Sequence, residues 1–254
     1  MPPANVLVLD FDGVLCASAQ ETAVSAWRAG QRFFPEWSGP EPSDEAIAAF
    51  TAVRPILETG YQSILLMKRI VDGVPVDEIR AFGSAAAEEL VATLGLERTE
   101  LIAAFGGARD AWIEADLPDW LSRHSFFPGT LERVRERLAA GTPVFIATTK
   151  QERFVEALLA GQGIELPTER IFGLDARKRK EQVLRELSAQ FPESRLHFVE
   201  DRIDTLRRVQ ACPELAAVQL YYADWGYGLP ADLTAADADP RLHVWSLDQF
   251  LALA

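Results

Sequence analysis

Four short stretches of this 254-residue chain carry side chains that could act together on one reaction. Asp10 and Asp12 stand two residues apart at the end of an apolar run. Thr148, Thr149 and Lys150 close a second run, and the acid pair Glu200-Asp201 closes a third. The basic cluster Arg177-Lys178-Arg179-Lys180 opens a helical pattern. Carboxylates held close repel one another unless a proton or a cation comes between them. A hard divalent ion with oxygen ligands resolves that repulsion, and Mg²⁺ suits such a set. Ion and lysine together make a receptor for a phosphate dianion. One carboxylate can then attack phosphorus to give an aspartyl-phosphate, and another, two residues along, could protonate the leaving oxygen. Only four of the 25 basic residues are lysine, namely Lys68, Lys150, Lys178 and Lys180, so any step that needs one has few candidates.

The elements that must position these groups can be read from the pattern. Residues 5–10 form a short, β-branched apolar run, which predicts a strand buried on both faces. From 18 to 124 the signals are helical: 19–29, 46–53 capped by Ser43-Asp44-Glu45, 62–71, 76–94 and 100–114, with breaks expected at Gly95 and at Gly106-Gly107. No strand is expected there. After His124 the pattern alternates. Strands are expected at 143–149, 171–174, 196–200, 217–222 and 242–245. Helices are expected at 131–140, at 151–160 (stopped by Gly161), and at 180–190, 203–211 and 247–253. Strands alternating with helices of this length imply βαβ units and a parallel sheet. The expected architecture is α/β: a doubly wound parallel sheet from residues 1–17 and 125–254, with an all-helical domain, 18–124, inserted after the first strand. In such sheets ligands bind beyond the carboxyl ends of the strands, where all four stretches arrive.

The same residues carry a family resemblance. Asp10-Phe11-Asp12-Gly13-Val14-Leu15 resembles the first motif of the haloacid dehalogenase superfamily. The stretch from Phe127-Pro128-Gly129 to Thr148-Thr149-Lys150 resembles the approach to the second motif in its phosphoglycolate-phosphatase-like branch. Lys180-Glu181-Gln182-Val183-Leu184 is similar to the third motif, and Phe198-Val199-Glu200-Asp201 to the fourth. The resemblance implies a Rossmann-like core with a helical cap. It further implies Asp10 as nucleophile and metal ligand, and Asp12 as general acid and then base, with its backbone carbonyl on the metal. Thr148 and Lys180 would bind the phosphoryl oxygens, and Glu200 and Asp201 would hold Mg²⁺. Thr149 stands beside Thr148 as a second candidate. Lys178 competes with Lys180, which the spacing to Leu184 favours. A carboxylate at Asp12 favours phosphoryl transfer over carbon–halogen cleavage, because the dehalogenase branch lacks one there. The implied activity is Mg²⁺-dependent hydrolysis of a phosphomonoester, the partner a small phosphorylated metabolite.

Several features have plainer readings. Asp204 is read as a helix-start residue, and His124, His197 and Cys16 as structural. The Asp224-Trp225-Gly226-Tyr227-Gly228 loop could wall the site, although loop packing is the favoured account. Arg54 could reach a second anionic group on a substrate, against an intrahelical pair with Glu58. Within the superfamily the alternatives are a phosphomutase and a phosphonate hydrolase, the latter needing a cap lysine for which Lys68 is the candidate. Outside it, the alternative is a binding protein that keeps the fold without catalysis.

The charge balance of 25 Lys+Arg against 38 Asp+Glu, net −13, argues against nucleic-acid or anionic-membrane partners, which are bound by basic faces. No apolar run approaches the ~20 residues a bilayer-crossing helix needs. Two cysteines and the lack of a signal-peptide pattern lead to the expectation of a cytoplasmic protein. The sequence leaves the oligomeric state open.

Overall fold

The computed structural model describes residues 5–252. The chain divides into two compact units, one made of residues 1–17 and 125–254 and the other of 18–124.

The first unit is built on a six-stranded, wholly parallel sheet. In chain order its strands are β1 (Asn5–Leu9), β4 (Val144–Ala147), β5 (Ile171–Phe172), β6 (Arg195–Glu200), β7 (Gln219–Ala223) and β8 (Leu242–Trp245). In space they run β5-β4-β1-β6-β7-β8. The chain therefore builds outward from β1 in one direction and then, returning to β6, in the other. The crevice of this doubly wound sheet falls at the carboxyl ends of β1, β4 and β6. Val6, Leu7, Val8 and Leu9 are all buried, as expected for a central strand covered on both faces. One face packs Val6, Val8 and Phe198 on Val183, Leu184, Leu187, Leu206 and Val209 from helices Lys180–Gln190 and Ile203–Gln210. Two further strands, β2 (Cys16–Ala17) and β3 (Ser125–Phe126), pair antiparallel as a separate ribbon.

The second unit is all helical among its described residues and has its own core, with Ile64, Leu65, Met67, Phe50, Val53 and Leu101 buried together. Its helices are Ala19–Gly30, Asp44–Val53, Gln62–Val71, Val76–Ile79, Ser84–Thr93 and Arg98–Ser122. Ser43 caps the second of these, its Oγ accepting from Ala46 N at 3.2 Å. No helix among the described residues is long and apolar enough to cross a membrane.

The structure departs from the pattern reading at several places. The expected helix 76–94 is two, since the chain turns at 80–83 and buries Phe82. Gly106-Gly107 does not break the following helix. A Cβ at either glycine would meet open space, and two interior glycines cost only about 1 kcal/mol each. The interruption falls instead at Asp116 (φ −156°, ψ 80°), two residues before Pro118. The Asp116 carboxylate accepts from Asp119 N at 2.9 Å and so caps a fresh turn in which proline needs no N–H donor. Helix Glu152–Gly161 runs through Gly161, and the left-handed residue beyond it is Gly163 (φ +71°). Arg54 and Glu58 do not share a helix: Arg54–Ile56 is a 3₁₀ turn, Leu57 is extended, and Glu58 accepts from Ser84 Oγ. Helix Pro230–Asp237 has no apolar stripe and buries only Ala236, so periodicity could not reveal it.

Candidate active site

Asp10 follows β1 directly, and its N–H still donates to Val199 O at 2.9 Å, so the β1–β6 ladder fixes its place at the carboxyl edge. On the next strand Glu200 ends β6 with its side chain wholly buried, and Asp201 follows it. Lys180, the first residue of its helix, places Nζ 2.9 Å from Asp10 Oδ1 and 2.6 Å from Glu200 Oε2. Glu200 Oε1 accepts from Arg202 N at 3.0 Å. Asp201 Oδ2 accepts from Tyr227 N at 2.7 Å, whereas its Oδ1 is buried with no hydrogen-bond partner.

Burial dominates the electrostatics of this cluster. It pushes the Asp10 carboxyl up to about 7 against the pull of Lys180, and Asp201, which also faces the Asp10 charge, up to about 6. Glu200 is raised for the same reason. Burial disfavours the Lys180 ammonium as well, but Asp10 and Glu200 outweigh it and hold the group charged. Three buried carboxyl groups thus share one lysine, so ionising all three would leave negative charge uncompensated, and they hold their protons to higher pH instead.

One oxygen from each of Asp10, Glu200 and Asp201 lies within 4.8 Å of the others. An all-oxygen donor set with more carboxyl groups than cations and an orphaned buried oxygen fits a hard divalent cation such as Mg²⁺.

The remaining sequence candidates differ in what they touch. Asp12 is a fifth exposed at its side chain, and the buried Lys150 Nζ stands 3.3 and 3.4 Å from its two oxygens. Thr148 is buried at the end of β4, and its Oγ1 accepts from Lys150 N at 3.2 Å. Thr149 is exposed. Lys178 points elsewhere, its Nζ 2.6 Å from Glu186 on the surface. Asp204 lies in the first turn of its helix, paired loosely with Arg207. Arg54 lies in the helical unit.

Two contributions escaped the pattern. Lys150 was expected at the carboxyl edge with Thr148 and Thr149, but nothing in its spacing ties it to Asp12. The 224–228 loop, favoured above as plain packing, packs directly on Asp201. Beyond the Tyr227 N–H bond, a Cβ at Gly226 would collide with Asp201 Cβ and Gly13 O, and one at Gly228 with the Tyr222 hydroxyl. Gly13 itself has φ +96°, and a Cβ there would collide with the Asp201 carboxylate. The glycines at 226 and 228, which could have hinted at such close approach, also suit an ordinary exposed turn.

No family model and no curated protein matches this chain. Solved structures do. A haloacid dehalogenase-like hydrolase from Streptococcus pneumoniae is 17% identical with a TM-score of 0.55, covering 98% of this chain and 97% of that one. A structure described as a predicted phosphoglycolate phosphatase from Haemophilus somnus is 18% identical with a TM-score of 0.59, covering 99% and 96%. Protein tyrosine kinase A of Mycobacterium tuberculosis is 20% identical with a TM-score of 0.56, covering 99% of each chain. Likeness at this level establishes the haloacid dehalogenase-type fold that the motifs led us to expect. Because the same fold is seen in proteins described as a phosphatase and as a kinase, the activity has to be argued from the site.

Proposed function

We propose that this protein is a Mg²⁺-dependent phosphomonoester hydrolase that acts on a small phosphorylated metabolite through an aspartyl-phosphate on Asp10. The observation that carries this reading is the buried set Asp10, Glu200 and Asp201 around Lys180, with Asp12 two residues from Asp10 on the same strand end. Asp10, Glu200 and Asp201 would hold the cation, with the Asp12 carbonyl as a further oxygen. The bound cation supplies positive charge that offsets the carboxylates and the phosphoryl oxygens.

Lys180 Nζ and the Thr148 hydroxyl bind and orient the phosphoryl group, Lys180 by charge and Thr148 by hydrogen bonding. An Asp10 carboxylate oxygen attacks phosphorus as the ester P–O bond breaks, and the Asp12 carboxyl gives its proton to the leaving oxygen. Asp12, now a carboxylate, takes a proton from water. That water attacks phosphorus, the P–O bond to Asp10 breaks, and phosphate leaves with Asp10 regenerated. Lys150, paired with Asp12, keeps that carboxylate in place between the two half-reactions.

The phosphonate alternative needs an uncharged cap lysine as nucleophile. Lys68 instead forms an ion pair with Asp72 and lies 5.3 Å from the centre of the Phe34 ring, so its amine is engaged within the helical unit.

The test is phosphate release from a panel of sugar, nucleotide and small-acid phosphates, in Mg²⁺ and in EDTA. Release by the wild type in Mg²⁺, lost in EDTA and lowered about 10⁴-fold or more by Asp10→Asn, is the expected result. Release that persists in Asp10→Asn would overturn the reading.

A further inference from the structure

The loop between β5 and the helix that starts at Lys180 is held by an unusual number of bonds to a single turn. Four successive backbone N–H groups, those of residues 173–176, point at residues 150–152. Glu152 Oε1 accepts from Gly173 N and from Ala176 N, each at 2.8 Å, and Oε2 accepts from Asp175 N at 3.0 Å. The fourth, Leu174 N, donates to Lys150 O at 3.0 Å. The turn closes tightly, because a Cβ at Gly173 would collide with Lys150 O and press on the Glu152 carboxyl. Directly after it Arg177 takes φ +52°, a left-handed conformation that disfavours a side chain with a Cβ. Arg179 then stands in extended conformation just before the helix, and Lys180 begins it.

These bonds also explain why β5 is only two residues long. The amides of Gly173 and Leu174, expected from the pattern to continue the strand, are taken by Glu152 and Lys150 instead. A carboxylate that accepts three amide bonds is a strong acceptor, well able to hold a backbone bend. Burial works against the Glu152 charge, but the backbone donors around it win and hold its carboxyl below the usual range.

We propose that Glu152 is a positioning residue for the phosphate-binding lysine. By gathering the amides of Gly173, Asp175 and Ala176, it fixes the bend at 173–177 and thereby the point from which Lys180 reaches Asp10 and Glu200. Glu152 also opens the helix that follows β4, so one side chain ties the strand end bearing Thr148 to the loop that delivers Lys180. A gap of this kind matters, since misplacing a catalytic group by about 1 Å can cost 10²-fold in rate. The role in turnover rests on the phosphatase reading above; the brace itself does not.

The experiment compares wild type, Glu152→Gln and Glu152→Ala with two readouts. The first is amide hydrogen exchange over 173–177, set against the β1 and β6 amides as a measure of global opening. The second is phosphate release with inorganic phosphate as competitive inhibitor. Local exchange should rise sharply in both variants while the β1 and β6 amides stay protected. The kcat/KM should fall about 10- to 100-fold, with a matching rise in the inhibition constant of phosphate. A Lys180→Arg background separates positioning from general stability: there Glu152→Gln should add little further loss, whereas a purely structural role would add its full effect. Unchanged exchange over 173–177 would overturn the brace. Raised exchange with unchanged kinetics in an active wild type would overturn the positioning role. A wild type that turns over nothing would defeat the phosphatase reading instead, and the exchange readout would still decide the brace.

Discussion

Two buried clusters of charge sit in this molecule, one in each unit, and they are built in opposite ways. In the helical unit Glu21 is wholly buried and generously matched. Arg109 grips both its oxygens at 2.7 and 2.6 Å, Ser25 Oγ donates at 2.6 Å, and Trp120 Nε1 donates at 3.2 Å. The donors come from the first and last helices of the unit, so the cluster closes that unit on itself. At the sheet edge Asp10, Glu200 and Asp201 divide one lysine among them, and Asp201 Oδ1 has no hydrogen-bond partner. A matched buried charge is a structural feature. A buried cluster with more carboxyl groups than cations and an unsatisfied oxygen is costly to ionise by itself and makes sense when a further ion completes it.

That contrast can be broken most forcefully at Arg109. Arg109→Ala leaves the Glu21 charge buried without its main partner and should cost about 3–5 kcal/mol of stability, read as a lowered midpoint in denaturant. A loss below about 1 kcal/mol would mean that the Glu21 cluster is not the matched pair described above.

The sheet-edge cluster should respond to metal in the opposite sense. Mg²⁺ at about 100 times its Kd should stabilise the wild type by about 2.7 kcal/mol, and Asp201→Asn should abolish most of that gain. The pH dependence sharpens the point. Asp10 and Asp201 have an ordinary pKa of 3.8, but burial keeps them protonated to about 7 and about 6. Between about pH 4 and 7 the metal-free folded state therefore holds more protons than the unfolded chain, and its stability falls as pH rises through that window. Mg²⁺ needs the carboxylates, so its apparent affinity should climb over the same range and level off above about 7. Calorimetric titration at three pH values would check this; affinity independent of pH would contradict the assignment.

The smallest effect concerns the basic cluster before the helix. Lys178 pairs with Glu186 on the surface while Lys180 sits between two buried acids. Lys178→Ala should leave phosphate release and thermal stability unchanged within error, and a large loss of activity would show that the wrong lysine has been placed at the site.

Much of the fold was legible in the sequence, for physical reasons that particular elements make plain. Central strands such as 5–9 and 195–200 are buried on both faces, so they stand out as apolar runs closed by acids. The helix at 62–71 is legible because Ile64, Leu65, Leu66 and Met67 all lie in the core of the helical unit. Where burial is slight, as in Pro230–Asp237, or where an element is two residues long, as in β2 and β3, there is no pattern to read. The candidate site divides likewise. Residue types at strand ends named Asp10, Glu200 and Asp201, because parallel-sheet geometry brings those ends together. The Lys150–Asp12 pair, the loop at 224–228 and the Glu152 brace depend on tertiary approach between segments far apart in the chain, and that approach leaves no periodic trace.

The central claim is that Asp10 carries the phosphoryl group during turnover. The most direct measurement is mass spectrometry of acid-quenched reactions, made on the best substrate of the panel within the first turnover. The account predicts a transient phosphoryl adduct on the peptide bearing Asp10, present in Mg²⁺ and absent in EDTA and in Asp10→Asn. Full phosphate release in the wild type with no adduct on that peptide at any quench time, or an adduct on another residue, would contradict it.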